Sequence, residues 1–379
     1  MNFEFNETQQ MIRETARKFA QDELASSADE RDEKEEFPYE AVKKLGELGF
    51  MGMMVSEKYG GAGLDTVSYV LAIEEISKVD ASAGVIMSVN NSLVTWGLET
   101  YGSDYQKEKY LKDLASGKKL GAFALSEPEA GSDATNQLTT AVRNGDHYIL
   151  NGTKNFTTNG ANADVVLVTA STDKTKGSRG VSAFIVEKST SGFSVAKKER
   201  KLGIRSSDTV SLAFQDCKIP SENLIKEEGF GIKFAFKTLD GGRIGIAAQA
   251  LGIAQASLDA SIAYSKERKA FDHLLAEFQA IQFKIADMAT AVEAARQLTL
   301  KAARLKDAGQ SFSTAAAMAK LYASKVAVNA ALEAIQIHGG YGYMREYKVE
   351  RFLRDAKITE IYEGTSEIQR MVISRAMLQ

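Results

Sequence analysis

Apolar positions recur along the chain with two different periods, and the changes of period divide it into three parts. Near the N-terminus, Met11, Ile12, Ala16, Phe19 and Ala20 fall on one stripe of a helix. Asn6-Glu7-Thr8-Gln9 ahead of that stripe has capping-box spacing, in which the Asn6 and Gln9 side chains satisfy each other's free amides. The stretch "SDYQKEKYLKDLASG" repeats the device with Ser103 and Gln106, and Gly117 is placed to stop that helix. Near residue 120 the period shortens. "ADVVLVTAS", "VSAFIVEK" and "TVSLAFQD" carry the β-branched and aromatic content of strands. "TTAVRNGDHYILNGTKNF" holds two Asn-Gly pairs, Asn144-Gly145 and Asn151-Gly152, which predict type I′ hairpin turns. After Gly229 the helical period returns in two long Ala/Leu/Lys-rich runs, each ending in glycine. None of Pro38, Pro128 and Pro220 interrupts them. The pattern predicts an α+β protein: an N-terminal helical domain over 1–119, a middle antiparallel β domain over 120–226 and a C-terminal helical bundle over 227–379.

Composition narrows the chemistry. The chain has 379 residues, 44% hydrophobic and 26% charged, enough to bury a large core. A net charge of −3 gives no electrostatic reason for a nucleic-acid partner. The densest basic run, Lys197 to Lys201, reads as a solvated loop or strand end. A lone cysteine, Cys217, excludes a disulfide framework and a thiolate metal site. His147, His273 and His338 lie far apart, so no metal is expected. The N-terminal segment is amphipathic and acidic, unlike a signal peptide, and no apolar run reaches membrane-spanning length. A cytoplasmic or equivalent reducing location without membrane insertion is expected. Neither G-x-G-x-x-G nor a P-loop occurs, and βαβ alternation is missing, which argues against a Rossmann nicotinamide enzyme.

The segment "ITEIYEGTSEIQR" breaks the helical pattern near the end of the chain. Ser366 and Gln369 have capping-box spacing, so the last helix is expected to start at Ser366. Glu363 then stands at the mouth of a helix N-terminus beside Ile361 and Tyr362. Partial desolvation raises a carboxylate's pKa and makes it a better base near neutral pH. Gly364 lets a ligand approach the backbone. The residues alone describe a surface glutamate before a capped helix better than they describe a base.

The stretches "FALSEPEAGSDA", "GTKNFTTNG", "LDGGRIGIAAQALGIAQ", "AIQIHGGYGY" and "IYEGTSEIQR", in this order, resemble the acyl-CoA dehydrogenases over essentially the whole chain. The resemblance implies an FAD enzyme that oxidises an acyl-CoA to a trans-2-enoyl-CoA and passes electrons to electron transfer flavoprotein, usually as a homotetramer. It implies Glu363 as the base that removes the α-proton while a hydride leaves the β-carbon for flavin N5. The thioester oxygen would be held by the Glu363 amide and a ribityl hydroxyl, with Gly364 against the substrate. Relatives that take their base from another helix carry it where this chain has Gly242.

By the same matching, Phe123, Leu125, Ser126, Gly131 and Ser132 would line the isoalloxazine, and Ser132 would also touch CoA. Phe156, Thr157 and Thr158 would meet the ring, with Thr158 near N5. Arg268, Phe271, Gln279, Gln336, Gly339 and Gly340 would reach FAD across a subunit interface, and Thr365, Ser366 and Glu367 would contact it from the last helix. Asp240 and Arg243 would hold the CoA part, or else form a surface ion pair of little consequence. Asp272, His273 and Leu274 depart from the Gly, variable residue and Pro common in relatives. The chain is most similar to the short-chain, butyryl-type branch. Medium-chain and short branched substrates stay open, as do an acyl-CoA oxidase and an inactive acyl-CoA-binding relative.

Overall fold

The computed structural model describes residues 4–379. The helix starts form as the sequence spells them. Asn6 caps the helix Glu7–Phe19 by accepting from the Gln9 amide, and the Gln9 side chain returns to the Asn6 amide. Ser103 and Gln106 do the same. Gly117, Gly309 and Gly339 take φ of +72°, +64° and +60° just past helix ends, the left-handed position that a Cβ disfavours.

Between the helical domains lies a seven-stranded sheet: β1 (Gly121–Ala124), β2 (Thr140–Asn144), β3 (His147–Thr158), β4 (Val165–Ser171), β5 (Val181–Glu187), β6 (Phe193–Lys198) and β7 (Thr209–Pro220). Their order is β1-β4-β2-β3-β7-β6, with β5 also on β4. The expected antiparallel character holds for the pairs β2–β3, β3–β7, β4–β5 and β6–β7. The β1–β4 pair and a single β2–β4 contact are parallel, so the sheet is mixed. No hairpin links those strands, and nothing local forces them antiparallel. Alternation along β4 serves two cores. Val165 and Leu167 join the helical core, while Val166, Val168 and Ala170 join the sheet's own.

The two Asn-Gly pairs turn out differently from the expectation. The β2–β3 turn is Gly145-Asp146, with Gly145 at φ +63° and Asp146 not at positive φ, the pattern of a type II′ turn. Asn151-Gly152 makes no turn. It is a register shift inside β3, where Gly152 has φ +148° and a Cβ would lie 2.5 Å from Thr139 Oγ1.

The helix Gly231–Glu267 runs through the molecule against the helices Ser313–His338, Gln279–Asp307 and Thr66–Ser77. A partly buried charge network ties the helix Val349–Ile358 to both other domains. Asp355 accepts from the Ile204 amide at 2.5 Å, Arg354 pairs with Asp32 at 2.8 Å and Arg351 with Asp29 at 2.8 Å. Burial pushes the Asp355 carboxyl up to about 7. The network fixes the helix that delivers the chain into the Ile358–Arg370 segment.

Candidate active site

That segment leaves the helix at Ile358 and makes one irregular turn before the helix Ser366–Leu378. The last helix starts at Ser366 as expected, but its cap is Thr365, whose hydroxyl accepts from the Ile368 amide. Gln369 does not reach back to a Ser366 cap. Its Nε2 donates to the Gly364 carbonyl at 2.8 Å. Glu363 and Gly364 both lie at positive φ, +52° and +95°. For a glutamate this backbone costs about 1 kcal/mol or more, and such strain collects at functional sites.

The strain aims the Glu363 side chain at the helix Gly231–Glu267. The residue as a whole is half-buried, but its Oε2 is enclosed and has no hydrogen-bond partner. A Cβ added to Gly242 would lie 2.0 Å from that Oε2 and 2.8 Å from Leu93 Cδ2. The carboxylate therefore occupies the space that a side chain at 242 would fill, and the two positions exclude each other. Burial pushes the Glu363 carboxyl up to about 7, against the opposing charges of Lys320 and then Arg243. Its amide donates to no acceptor among the described residues and stays free for a ligand oxygen. Gly242→Ala is expected to swing the carboxylate off this helix and to lower turnover about tenfold, with thermal stability little changed, because the Glu363 side chain is flexible at its end. Steady-state rates and a melting curve check it.

Asp240 and Arg243 are not a surface pair. Both are buried, with Arg243 Nη1 on Asp240 Oδ1 at 2.6 Å and Asp240 also bonded to Ser313. Arg243 keeps a buried Nε without a partner. Burial lowers the guanidinium's pKa, while Asp240 and then Glu363 raise it, which puts Arg243 in the field of the Glu363 carboxylate.

The expected flavin residues separate into two groups. Phe123, Leu125 and Ser126 are half-buried, and Gly131 and Ser132 exposed, along β1 and the loop that follows. Phe156 is 66% exposed at φ +56°, and Thr158 is half-buried. Thr157 is different: its side chain is buried, with a hydroxyl that finds no partner. Thr365, Ser366 and Glu367 stay at least partly open at the helix start. The second group is remote. Arg268, Gly339 and Gly340 line a separate cavity of about 540 Å³ with Tyr264, Tyr341 and Met344. Lys320, beside the Glu363 turn, and His338, at the cavity, are 18 residues apart on one helix, about 27 Å. Phe271 and Asp272 form a two-residue hairpin turn with φ of +53° and +67°. The left-handed φ explains why glycine suits position 272, and aspartate tolerates it better than most residues.

Sequence reasoning missed three features. The first is Lys320, fully buried, donating to the carbonyls of Thr359 and Gly364. The second is Gln249, which accepts from the Tyr362 hydroxyl. The third is the buried Lys154–Glu127 pair beneath the open loop. A lysine on the apolar stripe of an alanine-rich helix was the available signal for the first.

Three family models match the chain in order: "Acyl-CoA dehydrogenase, N-terminal domain" over residues 6–118, the middle domain over 122–217 and the C-terminal domain over 229–378. The chain belongs to the acyl-CoA dehydrogenase family. It is 52% identical to a short-chain specific acyl-CoA dehydrogenase of Clostridium acetobutylicum, with 99% of each chain covered. It superposes on butyryl-CoA dehydrogenase from Megasphaera elsdenii with a TM-score of 0.99 at 50% identity, covering 100% of each chain. A chain from a structure described as electron transferring flavoprotein of Acidaminococcus fermentans also gives a TM-score of 0.99, at 52% identity and full coverage of both chains. The fold expectation of helical, β and helical domains is met.

Proposed function

We propose that this acyl-CoA dehydrogenase oxidises short-chain acyl-CoA thioesters to trans-2-enoyl-CoA, with Glu363 as the base. The observation that carries the reading is the Glu363 carboxylate, enclosed against Gly242 on a strained turn whose amide is free. A thioester oxygen accepting from that amide gains acidity at its α-carbon, because the charge that develops on proton loss is met by a preorganised donor. Desolvation gives the carboxylate the proton affinity to take that proton near neutral pH.

FAD is the cofactor of this family, and the residues fit a flavin. Phe156 offers an aromatic face that the protein leaves uncovered, in a left-handed conformation that holds it out of the sheet. When bound, FAD accepts the hydride that leaves the β-carbon. Phe156, Thr158 and the Leu125–Ser132 loop would hold the ring, and Glu363 would take the α-proton of the substrate. The cavity at Arg268, Gly339 and Gly340, about 27 Å along the helix, serves the flavin of a neighbouring subunit, which supports a homotetramer. The exposed Phe271 and Phe283 support a covering partner.

A short acyl tail is supported by what closes the space beyond Glu363. One turn past Gly242, a Cβ at Gly245 would meet Ser88 Oγ at 2.3 Å and the Tyr69 hydroxyl at 2.4 Å. Farther along the same helix, Gln249 is tied to Tyr362. The name of the Clostridium relative agrees, and the Acidaminococcus structure supports electron transfer flavoprotein as the acceptor. Anaerobic titration of the FAD-loaded enzyme with acyl-CoAs of rising length tests the reading. Butyryl-CoA is expected to bleach the flavin, and octanoyl-CoA to do so at least about tenfold more slowly. No bleaching by any saturated acyl-CoA would remove the function. Rapid reoxidation by oxygen, with none by electron transfer flavoprotein, would make the enzyme an oxidase.

A further inference from the structure

The helix Ser313–His338 turns Ala316, Ala319, Ala323 and Ala327 to the core. Lys320 lies on that stripe and has no exposed surface. An ammonium in such a place is expensive to desolvate and persists only where it is fully used. Its Nζ donates to the Thr359 carbonyl at 2.9 Å and to the Gly364 carbonyl at 2.8 Å. Those carbonyls are the two ends of the turn that carries Tyr362 and Glu363. Gln369 Nε2 meets the same Gly364 oxygen from the last helix, and the Ser366 amide closes onto the Glu360 carbonyl at 2.9 Å. The clamp therefore spans the only part of the segment whose backbone is strained, Glu363 and Gly364.

We propose that Lys320 is the positioning residue of the base: its ammonium ties both ends of the turn and holds the Glu363 carboxylate against Gly242 with its amide free. This rests on the reading of Glu363 as the base. The groups around that carboxylate are Lys320 from one helix, Arg243 with its partner Asp240 from a second, Tyr69 from a third and the adjacent Tyr362. Glu360 and Glu367 act on Lys320 from its own side. Of the two cations, Lys320 opposes the effect of burial on Glu363 more than Arg243 does. Removing its charge leaves burial less opposed, so the carboxyl holds its proton to higher pH.

Lys320→Met, Lys320→Gln and Lys320→Arg, each as FAD-loaded enzyme, test the proposal. Flavin bleaching by butyryl-CoA is followed by anaerobic stopped flow from about pH 6 to about pH 9. In the Met and Gln variants the rate curve is expected to move to higher pH, with the rate near neutrality down about tenfold or more and recovered as the pH rises. Lys320→Arg is expected to recover most of the loss. A second readout separates proton from hydride. A β-ketoacyl-CoA can lose its α-proton to the base without completing oxidation, and its enolate against oxidised flavin absorbs at long wavelength. The pH midpoint of that absorbance is expected to move with the rate curve. A Met or Gln variant that keeps FAD with an unmoved pH curve overturns the proposal, and so does one that is slower by the same factor at every pH. If Lys320→Met loses FAD, the Gln variant, still able to donate to a carbonyl, is judged by the same criterion. Glu363→Gln runs in parallel: full bleaching rates there would refute the base itself, whatever the Lys320 variants do.

Discussion

Glu363→Gln is expected to slow flavin reduction by butyryl-CoA about 10²–10⁴-fold, with FAD content and acyl-CoA affinity near those of the unaltered enzyme. Glutamine has nearly the size of glutamate and can keep the packing against Gly242 and Leu93. Its backbone can hold the same left-handed turn, because Lys320 and Gln369 fix the Gly364 carbonyl rather than the side chain. What is lost is the ability to accept a proton. The unaltered enzyme should also show a rate that rises with pH through about 7, since burial raises the Glu363 carboxyl to that value and only the ionised form is a base. The same shift has a stability sign. A carboxyl whose folded pKa is raised stabilises the fold most below its unfolded pKa of about 4, and that contribution fades as pH rises through about 7. Activity and this part of stability therefore run in opposite directions with pH. Stopped-flow rates and melting curves across that range check both, and near-normal bleaching by the Gln variant would end Glu363's role.

Much of this was written in local pattern. The capping boxes at Asn6 and Ser103 appear in the sequence because each needs only residues three apart, and each forms. The glycine stops appear for the same reason. The sheet was less legible. Asn151-Gly152 has the letters of a turn, but long-range pairing of β3 with β7 extends the strand through it, and tertiary contact overrides local preference. The Ser366–Gln369 capping box fails for a similar reason, although the helix starts at Ser366. Thr365 and Ser366 are both good caps, and the choice is made by Gln369 folding back onto Gly364. Glu363 was marked by a charge beside apolar residues and a glycine. Its enclosure was not, because that depends on Gly242 being 121 positions upstream.

Lys154→Met is expected to cost about 3–5 kcal/mol of stability and to weaken FAD retention, because it leaves Glu127 buried and ionised without its partner. Lys154 has no exposed surface, and its Nζ lies 2.7 Å from Glu127 Oε1, 3.0 Å from the Leu125 carbonyl and 3.2 Å from Gln137 Oε1. Glu127 in turn accepts the Leu138 amide at 2.6 Å and the Thr139 amide at 3.2 Å. One cation thus pins both ends of the open loop that runs from Leu125 past Ser132. Burial lowers the Lys154 ammonium to about 8, with Glu127 opposing, so the pair is ionised at neutral pH. The lysine stands on β3 two residues before Phe156, which joins the loop and the aromatic platform in one rigid unit. Adding Glu127→Gln should restore part of the stability, since glutamine can still accept from the two amides without leaving a bare charge. If the single variant melts and holds FAD like the unaltered enzyme, the loop is held by other contacts and this ion pair has no part in shaping the flavin side of the site.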